Sequence, residues 1–174
     1  MNLHYSNIMN FTQLSLFFKP LLKPTPKQPT PRKRKSTNRV SDPKLFETWK
    51  RLQESYFPDS LFLNEFKVCW SNRHQTSCLA SVNLQTKIVR VAPAMKLPES
   101  QLFLEPLLYH EMCHAIVGIK VVRGRRKIHS REFKNLENLH PHIKFLDIWI
   151  KNGGWSKAVK LAKKQKNIAQ LMKV

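Results

Sequence analysis

The sequence predicts an α+β fold in which a small antiparallel sheet packs with a helix carrying His110-Glu111-Met112-Cys113-His114 and with further helices. Three observations predict it. Leu45, Phe46, Trp49, Leu52 and Tyr56 recur at helical spacing and form one apolar stripe. The stretches Glu65 to Trp70, Ser77 to Leu84 and Lys87 to Ala92 are short and alternating or β-branched, as strands are. The five motif residues sit between the apolar triplets Leu107-Leu108-Tyr109 and Ala115-Ile116-Val117, with no proline inside them.

The chain divides by charge. Of the formal net charge of +20, the first 40 residues contribute eight Lys or Arg and no acid, and residues 151 to 174 contribute seven and no acid. Residues 1–40 thus read as a disordered, basic, Pro-rich extension. Pro24, Pro26, Pro29 and Pro31 precede Arg32-Lys33-Arg34-Lys35, a composition that buries little apolar surface. Residues 41–150 read as the folded domain and 151–174 as a basic C-terminal helix. So large a positive balance favours polyanionic partners, DNA first, because Lys and Arg release condensed counterions when they meet phosphates.

Cys69, Cys78 and Cys113 are an odd number without C-x-x-C spacing, which argues against a disulfide framework or a second zinc module and favours a reducing, intracellular compartment. Met1 to Phe18 has neither a basic leading region nor a small-residue cleavage site, and no apolar run approaches the roughly 18 residues of a membrane span. The expected location is cytoplasmic, at the nucleoid in a bacterium or in the nucleus of a eukaryote. The oligomeric state is not legible.

Taken in order, the first helix starts at Ser41-Asp42-Pro43, a capping side chain followed by proline at the first turn. The strands follow Pro58, the last two joined by a tight polar turn at Gln85-Thr86. Pro98-Glu99-Ser100 opens the motif helix and Gly118 ends it, with Pro106 marking either a kink or a fresh start. A basic loop, Arg123 to Lys127, then leads to His129. Ser130 caps the next helix, whose apolar positions include Phe133, Leu136 and Leu139. Another helix runs from Pro141 to the Gly153-Gly154 break, and a Lys-rich amphipathic helix begins at Ser156.

The motif carries the chemistry. Residues four apart on a helix lie one above the other, so His110 and His114 can aim imidazole nitrogens at one metal ion. Glu111, one residue further round, projects beside the metal, where it can accept a proton from the attacking water. A catalytic zinc takes three protein ligands as a rule. His129 is the preferred third, because its loop is long enough to fold back over the motif helix and burial of Phe133 would hold the imidazole. His140 and His142 are alternatives flanking Pro141, His4 and His74 lie upstream, and no Asp or Glu occurs between Ala115 and Ile128. Tyr109 and Arg131 neighbour the ligands, but neither is assigned to the oxyanion.

With His110-Glu111-Met112-Cys113-His114, a gap of 14 residues and then His129-Ser130-Arg131-Glu132-Phe133, the sequence resembles the SprT-like metalloprotease family, which includes the Spartan-type proteases of DNA–protein crosslinks. Trp70-Ser71-Asn72, Ser77 to Ala80 and Ile88 to Ala92 are similar to the family's strands, so the likeness spans about residues 42 to 150. The resemblance implies a zincin-like metalloprotease domain in which His110, His114 and His129 bind zinc and Glu111 is the general base. It also implies a protein substrate, in several relatives one attached to DNA. Ser130 stands where the family usually has Gly, and the Cys-rich module of many bacterial relatives has no counterpart here. The expected activity is zinc-dependent peptide hydrolysis. The competing readings are a basic nucleic-acid-binding protein with a structural or inactive zinc site, and a processing peptidase indifferent to DNA.

Overall fold

The computed structural model describes residues 40–172 except His74 and Arg123; the Pro-rich extension, His4 and His74 lie outside the described residues. Helix α1 spans Pro43–Tyr56, and the Asp42 side chain accepts the Leu45 amide at 3.1 Å as its cap. The other oxygen of the same carboxylate accepts the Trp70 indole N–H at 3.0 Å, and the Asp42 amide donates to the Val68 carbonyl at 2.8 Å. One residue therefore starts α1 and ties it to strand β1, Lys67–Trp70. Leu45, Trp49 and Leu52 of the apolar stripe are buried, and the Trp49 indole donates to the Leu63 carbonyl at 3.1 Å.

Strands β2, Ala80–Asn83, and β3, Ile88–Val91, complete a three-stranded sheet in the order β1-β3-β2. The sheet is mixed, which corrects the antiparallel expectation: β3 pairs antiparallel with β2 but parallel with β1, Lys67 opposite Ile88. The cause is burial. Val89 and Val91 are fully enclosed, so β3 takes the centre, where both of its edges are paired, and β1 and β2 are left outside it. The β2–β3 turn is tight, with the Asn83 side chain accepting the Thr86 amide at 2.8 Å and Lys87 at positive φ.

Pro98–Gln101 forms a separate one-turn helix, α2, and the motif helix α3 runs Leu104–Val117. Pro106 is the third residue of α3, where an N–H would have no partner within the helix, so it marks a fresh start without a kink. Gly118, at φ 68°, closes the helix by donating to the His114 carbonyl at 3.0 Å.

The segment expected as a basic loop is a β-hairpin. Strand β4, Lys120–Val122, pairs antiparallel with β5, Arg125–Lys127, around Gly124 at φ 73°. Helix α4 spans Arg131–Glu137, with the Ser130 hydroxyl accepting the Phe133 amide at 3.2 Å. Helices α5, Ile143–Lys151, and α6, Gly154–Leu171, follow, so the last helix begins two residues before Ser156. A Cβ on Gly154 would come 2.1 Å from the Trp149 indole, which demands glycine at this elbow. Trp155 and Ala158 anchor α6 in the core, and the Trp155 indole donates to the Thr76 carbonyl at 3.1 Å. Among the described residues no helix is long and apolar enough to cross a membrane.

Candidate metal centre

The helical spacing of His110 and His114 on α3 sets their imidazole Nε2 atoms 3.1 Å apart. His129, between β5 and α4, brings its Nε2 to 3.2 Å from that of His114. The three ligand atoms all lie within 4.8 Å of one another, a cluster that could hold a metal ion. Phe133 lies against all three rings, with centroids 4.4 Å from His114, 4.7 Å from His129 and 5.2 Å from His110. Its complete burial fixes this apolar support, and the Ser130 cap starts the turn of α4 that carries it.

The fourth element of the centre is Glu137, which the sequence reading missed. Its Oε1 lies 2.6 Å from His110 Nδ1 and its Oε2 2.5 Å from Lys134 Nζ. An ionised carboxylate is an acceptor only, so His110 Nδ1 carries the proton and Nε2 presents its lone pair towards the other two histidines. Burial alone would raise the Glu137 carboxyl, but hydrogen bonds from His110 and Lys134 outweigh it and hold the group at about 2. A signal was present: Phe133 and Glu137 are four apart on the helix that Ser130 caps, so they share one face of it.

Electrostatics favour the neutral, electron-donating form of His114 and His129. Burial, with the neighbouring His110 and His129, lowers His114 to about 4. Burial and His110 likewise lower His129. Three imidazoles whose Nε2 atoms converge are a donor set suited to zinc and to other borderline divalent ions. Glu111 is buried beside them. Burial pushes its carboxyl up to about 7, against the opposing effects of His110 and a backbone hydrogen bond from Val82.

These groups line a cleft of about 320 Å³ whose walls are β2 on one side and Gly118, Ile119 and Ile128 on the other. The orientation of β2 follows from its ladder. The Ala92 amide donates to the Leu79 carbonyl at 2.8 Å, and hydrogen-bonded pairs alternate along an antiparallel ladder, so Ser81 and Asn83 bond to β3. Ala80 and Val82 then turn their backbone groups outwards, into the cleft they line.

The other candidates lie elsewhere. His140 is 1% exposed, packed 4.9 Å from the Tyr109 ring, with its Nδ1 accepting the His142 amide at 3.2 Å and its Nε2 3.7 Å from Glu105. His142 borders a surface hollow with Leu102, Phe103 and Phe145. Tyr109 is buried and its hydroxyl donates to the Leu136 carbonyl at 2.9 Å, which commits it to joining α3 with α4. Arg131 is exposed on α4.

No curated protein gives a significant match to the chain. The model of the SprT-like family matches residues 45–142, which contain both motif histidines, Glu111, His129 and Glu137, and the chain belongs to that family.

Proposed function

We propose that the chain is a zinc-dependent metalloprotease that hydrolyses peptide bonds, with His110, His114 and His129 as zinc ligands and Glu111 as general base. The observation that carries this reading is the convergence of three imidazole Nε2 atoms beside a buried carboxylate, at the floor of an open cleft. When bound, zinc supplies a Lewis acid that acidifies water and polarises a carbonyl. A purely structural site needs ligands but no proton acceptor, and Glu111 is an acceptor held in place.

The chain's own residues supply the rest. Glu111, buried at the cleft beside His110 and His114, is placed to take a proton from water and to return it to a leaving amine. The Val82 amide is engaged by Glu111, but the outward Val82 carbonyl and the Ala80 backbone groups offer an extended polypeptide bonds of an added strand, which sets it across the cleft. Glu137 fixes the tautomer and direction of His110.

Proteins bound to DNA are the substrate class favoured by charge. Lys157, Lys160, Lys163, Lys164 and Lys166 are all exposed on α6, a helix without an acidic residue. Such a face attracts phosphates through counterion release. The reading is tested by incubating the zinc-loaded chain with an unfolded protein and with a DNA-bound one, with and without added DNA at several salt concentrations. Cleavage that Glu111→Gln abolishes supports the protease; undiminished cleavage by that variant sinks it, and indifference to DNA sinks the DNA-linked substrate.

A further inference from the structure

The β4–β5 hairpin stands between the motif helix and His129, and its two faces differ. The register sets Lys120 opposite Lys127, Val121 opposite Arg126 and Val122 opposite Arg125. Side chains alternate along a strand, so Val121 and Arg126 share one face of the ribbon. Continuing the ladder one step brings Ile119 opposite Ile128 on that same face, and both isoleucines line the cleft. The face that begins at the cleft wall therefore carries an apolar rung first and then Val121 with Arg126, about 7 Å further along the strand.

These side chains are costly to leave in water. Ile119 is 54% exposed, Val121 65% and Ile128 51%, a cluster of solvated aliphatic groups beside an open cleft. Arg125, Arg126 and Lys127 are exposed too, and among the described residues none of the ion pairs includes them, whereas Lys120 is paired with Glu132. The face offers apolar contact and unneutralised positive charge at adjacent positions.

We propose that this hairpin face is a substrate-selecting wall of the cleft, which takes a polypeptide bearing an apolar side chain against Ile119 and Ile128 and an acidic side chain at Arg126. The proposal rests on the reading of the cleft as a peptide-binding site and adds the class of sequence it prefers. A peptide fits better than a nucleic acid because the rung nearest the metal cluster is aliphatic, which a phosphate backbone cannot satisfy. Side chains on one face of an extended peptide repeat about every 7 Å, the spacing between the two rungs.

Binding to the full zinc-loaded chain carrying Glu111→Gln tests this without requiring hydrolysis. The probes are fluorescent peptides that repeat Leu-Ser-Glu-Ser, Leu-Ser-Lys-Ser or Leu-Ser-Ser-Ser, which set Leu and its partner residue two apart on one face and are named Leu-Glu, Leu-Lys and Leu-Ser after that pair, and an oligothymidine strand. Leu-Glu should bind tightest, and Arg126→Glu should weaken it about fivefold, the range of an exposed ion pair replaced by repulsion. Lys144→Glu, an equal charge change at an exposed position of α5, should leave binding within about twofold, a control for the general charge of the chain. Equal effects of the two variants, or no preference among the three peptides, would overturn the proposal. So would an Arg126→Glu variant that loses oligothymidine while keeping Leu-Glu, because the face would then seat nucleic acid. An unsubstituted chain that binds Leu-Glu through Arg126 yet cleaves nothing would refute the protease reading and leave the wall intact.

Discussion

Glu137 Oε1 lies 2.6 Å from His110 Nδ1, across 27 residues of sequence, and this contact fixes which nitrogen of the first motif histidine faces the other two. The carboxylate is 3% exposed and is held from its other side by Lys134. Truncating it to Glu137→Ala should weaken zinc binding by about 10- to 100-fold, the usual cost of losing a partner that orients a metal ligand. Competition against a chromophoric chelator measures it. Glu137→Gln, which can still accept from Nδ1 through its amide oxygen, should recover part of the loss; identical affinities for the unsubstituted chain and Glu137→Ala would show that His110 needs no such partner.

Glu111→Gln should bind zinc with unchanged stoichiometry while losing proteolysis by at least about 100-fold, because the amide cannot accept the proton. Metal analysis alongside a fluorogenic protein substrate separates the two effects.

The same substitution has a pH signature in the metal-free protein. Glu111 is raised from 4.5 to about 7, so the folded state binds more protons than the unfolded one between those values, and its carboxylate costs stability as pH rises through that window. Glu111→Gln removes the cost, by up to about 3 kcal/mol above pH 7 and by little below pH 4.5. Urea unfolding of the zinc-free proteins at pH 4.5 and pH 8 reads the difference. His114, lowered to about 4, acts with the opposite sign, losing stability as pH falls from 6.5 towards 4, so the comparison is between variants at each pH.

His129→Ala should abolish stoichiometric zinc binding. His140→Ala and His142→Ala should retain it, although the first empties a site 1% exposed between Tyr56 and Tyr109 and should lower stability by about 1–3 kcal/mol. Zinc lost from either of these two variants with the fold intact would displace His129 from its assigned role.

Ser130 takes the place of the family's usual Gly at φ −72° and ψ 171°, extended backbone open to any residue, and its hydroxyl caps α4. Ser130→Gly should therefore cost only a few tenths of a kcal/mol and Ser130→Ala about 1 kcal/mol. Thermal melts of the two variants, with zinc affinity as a second readout, distinguish a cap from a backbone requirement.

Local chemistry was legible in the sequence and long-range pairing was not. The Asp42 cap, the Gly118 stop, the Ser130 cap and the stacking of His110 over His114 all follow from interactions within four residues of one another. The parallel pairing of β1 with β3 depends on which strand takes the centre of the sheet, and alternation alone does not rank three short strands. The β4–β5 hairpin was concealed by its own composition, since Arg and Lys fill positions where β-branched residues would announce a strand. Glu137 lay at a legible helical spacing from Phe133, but its pairing with His110 is made only once α4 folds against α3.

The packing of Phe133 beneath three imidazoles bears on how the metal arrives. A side chain with no exposed surface, touching every ring, leaves the histidines few rotamers to surrender on binding, so little ordering entropy opposes loading. Zinc would enter a receptacle already assembled, and chelation should strip the ion while the domain stays folded and ready to be refilled.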